Sequence, residues 1–110
     1  MIEKILLDYL SGALSAPIYM EMPETDIDSF VLLEKTGSSK VNHIKTATIA
    51  AQSYGPSMLE AAELNELVKD AIEASIELDE ISAVRLNSDY NFTNTATRKY
   101  RYQCIYVLTY

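Results

Sequence analysis

The sequence is short of most residues that carry chemistry. It holds one cysteine, Cys104, which excludes a disulfide within the chain and any multi-cysteine zinc site. His43 is its one histidine, so a two-histidine metal site is excluded and a Ser-His-Asp arrangement would have to use this residue. Tryptophan is absent, glycine and proline number three each, and no internal repeat occurs. Long apolar runs are missing, and no basic segment followed by an apolar one marks a secretory leader. The expectation is a protein of a reducing cytosol with no membrane segment. Bases are scarce as well: nine against sixteen acids give a net charge of −7. Without a long basic run, that balance argues against a nucleic-acid-binding domain.

What is present suits one folded domain over residues 1–110. Of the 110 residues 48% are hydrophobic and 23% charged, enough to build a core without covalent staples. The charge falls in blocks: residues 1–34 sum to −6, 35–59 to +3, 60–80 to −7 and 81–110 to +3. Such alternation gives a soluble, self-repelling surface. It also allows one copy to present an acidic surface to a basic surface of its neighbour, as head-to-tail rings require.

Hydrophobic periodicity predicts the elements. Ile2, Ile5, Leu6, Tyr9, Leu10, Ala13 and Leu14 recur at steps of three and four, one face of a helix that Pro17 ends. Ile18 to Glu21 is a short extended piece, and Met22 to Asp28 a loop. Phe30 to Lys35 reads as a strand, Thr36-Gly37-Ser38-Ser39 as a flexible turn, and Val41 to Tyr54 as a long strand. Ile44, Thr46, Thr48 and Ala50 share one face of that strand, small enough for a helix to pack on them. Gly55-Pro56 ends it, and Ser57 with Glu60 forms a capping box. The helix that follows, to about Ile76, has Ala61, Leu64, Leu67, Val68, Ala71 and Ile72 on its apolar face. Ile81 to Phe92 and Thr97 to Tyr110 are two strands joined by Thr93-Asn94-Thr95-Ala96. In the last strand Tyr100, Tyr102, Cys104, Tyr106, Leu108 and Tyr110 alternate with Lys99, Arg101, Gln103, Ile105, Val107 and Thr109. The expected fold is α+β, in the order α-β-β-β-α-β-β: a mostly antiparallel sheet with two helices packed on one face.

No catalytic constellation emerges, and an enzyme is not expected. His43 has no partner nearby in sequence and reads as an ordinary strand residue. Glu24, Asp26 and Asp28 sit at spacing two but lack the glycine and distal glutamate of a calcium loop. A metal-dependent hydrolase using these three with His43 is the least supported class. Gly37-Ser38-Ser39-Lys40 lacks the earlier glycine of a phosphate loop. Cys104 reads as a small buried hydrophobe. No cofactor is called for.

Two patterns suit interaction instead. Glu60, Glu63, Glu66, Asp70, Glu73 and Glu77 line the polar face of the second helix, relieved by Lys69 alone. Like charges three and four apart each cost about 0.2–0.5 kcal/mol, so this stripe either solvates or docks a basic partner. Tyr90, Tyr100, Tyr102, Tyr106 and Tyr110 crowd the last hairpin beside Arg98, Lys99 and Arg101, a composition that suits a half-buried sheet or a subunit interface. The candidate interface residues are Glu63, Glu66, Asp70 and Glu73 on the acidic side, with Arg98, Lys99 and Arg101 on the basic side.

Four segments carry a resemblance to a known family. They are Phe30-Val31-Leu32-Leu33-Glu34-Lys35-Thr36-Gly37, Ala51-Gln52-Ser53-Tyr54-Gly55, Glu60-Ala61-Ala62-Glu63-Leu64-Asn65 and Leu86-Asn87-Ser88-Asp89-Tyr90-Asn91-Phe92-Thr93. In order, and over about Pro17 to Tyr110, the chain resembles the tail terminator, or head–tail joining, proteins of long-tailed bacteriophages and prophages of Gram-positive bacteria. The resemblance implies an α+β subunit without cofactor or catalysis. It implies a ring, commonly of six copies, that caps the tail tube and joins it to the head connector. Its partners would be further copies of itself, the tail tube protein and the connector. Its place would be the virion tail, assembled in the host cytoplasm. The competing class is a small cytosolic protein-binding module without catalytic activity.

Overall fold

The computed structural model describes residues 1–93 and 99–110. Helix α1 (Ile2–Ala13) is followed by strands β1 (Ile18–Tyr19), β2 (Phe30–Val41) and β3 (Ile44–Gly55). Helix α2 (Met58–Ala74) comes next and tightens into a 3-10 turn at Ser75–Glu77. Strands β4 (Ala83–Asn91) and β5 (Tyr100–Thr109) close the chain. The strands form one sheet in the order β1-β2-β3-β5-β4; β1 is parallel to β2 and every other pairing is antiparallel. This is the α+β architecture that the sequence predicts, with two helices and a mostly antiparallel sheet.

The last strand lies inside the sheet, next to its edge strand. β5 pairs on one side with β3 and on the other with β4, so β3 and β4 run parallel with β5 between them. The link from β3 to β4 must then cross a sheet face, and α2 is that crossover. Its start is fixed by the expected capping residues: the Glu60 amide donates to Ser57 Oγ at 3.2 Å. The Ser57 hydroxyl in turn donates to the Glu60 carboxylate at 3.0 Å.

Both helices lie on one face. Ile2, Leu6 and Leu10 of α1 and Val68 and Ile72 of α2 pack with Val31, Leu33, Ile49, Cys104, Tyr106 and Leu108 of the sheet in a single cluster. Each such side chain contributes about 1.5–3 kcal/mol on burial. Cys104 sits at the centre of this layer, and burial pushes its thiol up to about 12. The folded protein is therefore expected to resist a thiol-specific reagent at pH 8 and to react fully once denatured. Rapid labelling of the native chain would show that this layer opens.

Three expectations about this region are corrected. The reversal between β2 and β3 lies at Asn42-His43, not at Thr36–Ser39, because both residues adopt positive φ (51° and 65°) and close a two-residue hairpin between Val41 and Ile44. Such turns match the twist of paired strands, and asparagine tolerates that conformation better than most residues. His43 is thus a turn residue, and the polar run before it continues β2, with a bulge between Lys35 and Gly37. The helices pack on the Ala47, Ile49 and Ala51 side of β3; Thr46, Thr48 and Ala50 line the opposite face, which no helix among the described residues covers. Finally, Leu67, expected on the apolar face of the second helix, is 57% exposed, whereas Asn65, assigned to neither face, is buried.

Candidate interaction surfaces

Three surfaces of the fold are open to a partner. The first is the outer face of α2. Glu63, Glu66 and Asp70 are exposed there around Leu67, with Leu59 one turn before Glu63. Glu66 meets Lys69 at 2.9 Å, while Glu63 and Asp70 have no ion-pair partner among the described residues. Beside this face, Ala16, Pro17, Glu60, Glu63, Leu64 and Leu67 line a groove of about 440 Å³ between the end of α1 and the start of α2. Glu73 departs from the stripe. Its carboxylate accepts a 2.5 Å bond from the Tyr106 hydroxyl and so is tied back to the sheet. Burial, reinforced by this carboxylate, holds the Tyr106 hydroxyl well above the usual tyrosine range. Glu77 likewise accepts from Tyr9 at 3.0 Å.

The second surface is an arm. The sheet order leaves β2 unpaired on its outer side beyond Leu32, and residues 34–45 are exposed throughout. Lys35 lies 3.4 Å from Glu3 at the start of α1. Past that point Lys40 and Lys45 face each other across the hairpin. They share the side of the sheet on which the helices pack, but the helices stop short of them. Val41 and Ile44, also exposed, lie on the other side of the arm.

The third surface is the sheet face without helices. Phe30 stacks on Tyr54 with centroids 4.4 Å apart. Arg101 lies over the Phe92 ring at 4.3 Å, donates to the Phe92 carbonyl at 2.7 Å and to the Tyr54 hydroxyl at 2.8 Å. The Tyr54 hydroxyl donates to Gln52, Gln52 to Gln103, and Gln103 to Tyr90. Arg101 is therefore committed to a network that fixes this face, on the far side of the sheet from the α2 acids. Lys99 lies elsewhere, in a cleft of about 360 Å³ bordered by Glu24, Asp26, Asp28, Phe30 and Tyr54. Arg98 lies outside the described residues. The structure thus gathers Glu63, Glu66 and Asp70 and separates them from Glu73, Lys99 and Arg101.

The acidic loop and His43 do not meet. The loop caps the start of β2 and His43 follows its far end, a strand length of roughly 35 Å away at ~3.3 Å per residue. Among the described residues no three metal-ligating side chains cluster.

Two features were not apparent from the sequence. One is the pairing of Lys40 with Lys45 on the arm, although the absence of any acid from 35 to 59 hinted at it. The other is a polar bridge under α2, where Asn65 and Lys69 both bond Asp89 of β4, at 2.7 and 2.6 Å. No family model matches the chain, and no curated protein matches it.

Proposed function

We propose that this chain is a ring-forming structural subunit of the tail-terminator kind, capping a phage tail tube and joining it to the head connector. The observation that carries the reading is the segregation of charge on one small subunit: an acidic helix face and a basic arm on different elements. A subunit with two unlike, complementary surfaces can close a head-to-tail ring. The order of resembling segments from Phe30 to Thr93 supports the same assignment. In this reading the partners are further copies of the chain, the tube protein and the connector, in the virion tail. No helix among the described residues is long and apolar enough to cross a membrane.

The second reading, a protein-binding module, draws on the uncovered sheet face, where Leu32, Ile105 and Val107 are only half-buried. Electron microscopy of particles from a phage or prophage lacking the gene decides between them. The expected result is overlong or unattached tails beside filled heads. Normal, attached tails would overturn the terminator assignment.

A further inference from the structure

We propose that copies of this chain associate head to tail by laying the β2–β3 arm of one copy, through Lys40 and Lys45, against the outer face of α2 in the next, through Glu63, Glu66 and Asp70. The contact rests on the ring reading above and specifies which two surfaces meet.

Each patch is unfavourable by itself. Lys40 and Lys45 are register partners, so their Cβ atoms stand about 5 Å apart, and like charges directly opposite one another destabilise a hairpin. No acid occurs between residues 35 and 59, and neither lysine has an ion-pair partner among the described residues. On α2, Glu63, Glu66 and Asp70 are spaced by three and four, where like charges also repel. Each patch supplies the counter-charge that the other lacks.

The two patches cannot meet within one molecule. α2 turns Val68 and Ile72 toward the sheet, so its acids point away from the plane that the arm continues. A second copy can bring them together, and the fold leaves space for it. On this side of the sheet Glu3 of α1 reaches Lys35 and Ala47 is still buried in the core, but Lys40 and Lys45 beyond them are exposed. A neighbour's α2 would extend the helix layer over the arm. The lysine stems would then cover Leu67 while their amines reach the acids on either side. Because the surfaces differ, the contact repeats from copy to copy and closes a ring or runs on as a filament.

Charge swapping tests this. The purified chain at low salt is followed by sedimentation or light scattering, since added salt screens such pairs. The arm reversal K40E/K45E and the helix reversal E63K/D70K change exposed side chains only. Each alone is expected to weaken self-association by about tenfold or more. The two variants mixed, or all four changes on one chain, are expected to restore it. Association indifferent to both reversals would overturn this contact but leave the ring reading standing, since that reading falls only with normal tails in the deletion phage. Loss without restoration in the combination would also overturn it. So would a wild-type chain that stays monomeric at low salt up to its solubility limit.

Discussion

Replacing Gly55 by alanine is expected to cost about 2–3 kcal/mol of stability, although it adds a single methyl group. Gly55 ends β3 at the point where the chain turns into α2. A Cβ built there would lie 2.7 Å from the Ala61 nitrogen, 3.0 Å from the Glu60 carbonyl carbon and 3.1 Å from Ala61 Cα. These are backbone atoms, so no rotamer change relieves the clash. The first turn of α2 is pinned by the bond from the Glu60 amide to Ser57, and Ala61 is fully buried. The helix would have to lift from the sheet, losing contacts at Ala61 and along the buried stripe behind it. The other glycines are internal controls. A Cβ at Gly37 or at Gly12 meets nothing within 4 Å. Gly37→Ala should stay within about 0.5 kcal/mol of the parent, and Gly12→Ala, late in the exposed end of α1, should gain up to about 1 kcal/mol. Urea unfolding of the three variants gives the ranking directly. A Gly55→Ala chain as stable as Gly37→Ala would mean that strand and helix do not approach this closely.

The class of fold was legible because its two periodicities are clear. Leu6 and Leu10 of α1, and Val68 and Ile72 of α2, fall at helical spacing and are buried. The alternation of Tyr106 and Leu108 with Ile105 and Val107 marks β5 as a strand with two unlike faces, and the structure gives it two strand neighbours. What stayed hidden depends on contacts distant in sequence. The run Thr36-Gly37-Ser38-Ser39 has turn composition, yet pairing with Thr46 to Thr48 of β3 keeps it extended. There the Ser39 and Thr46 hydroxyls are 2.5 Å apart, supplying a partner that local propensity does not foresee. The true turn, Asn42-His43, lacks the glycine that would have announced it. Which face of β3 receives the helices was equally invisible, because Ala47 and Ala51 on one side resemble Thr46 and Ala50 on the other.

The candidate surfaces divide in the same way. An acidic helix face is a one-dimensional pattern, and Glu63, Glu66 and Asp70 were readable from spacing alone. Glu73 belongs to the same stripe by spacing, but its carboxylate is drawn to Tyr106, 33 residues away. Arg98, Lys99 and Arg101 look like one basic cluster in sequence. Strand alternation and the ring of Phe92 instead hold Arg101 on the sheet face without helices.

Asp89→Ala is expected to destabilise the protein by about 2–3 kcal/mol, because it breaks the polar bridge by which Asn65 and Lys69 of α2 hold the edge strand β4. Asp89 is 26% and Lys69 16% exposed at the side chain, so the pair is shielded from water more than a surface ion pair. Asn65 is 1% exposed, and its Oδ1 already lacks a partner. Removing Asp89 would leave its Nδ2 without an acceptor too, and would leave Lys69 with the mostly exposed Glu66 alone. The pH dependence separates this charge effect from simple loss of packing. The bond to Asp89, followed by that to Glu66, raises the Lys69 ammonium above its ordinary 10.5. A raised lysine contributes fully below its unfolded-state value and loses that contribution as pH climbs through the folded one. The stability gap between the parent and Asp89→Ala should therefore hold steady from pH 7 to 9 and narrow above about 10.5. A gap that stayed constant into the alkaline range would assign the loss to packing at β4. A gap near zero at pH 7 would mean that α2 is held by its apolar stripe alone. In that case Asn65, already short of a partner at Oδ1, would have to find another within the core.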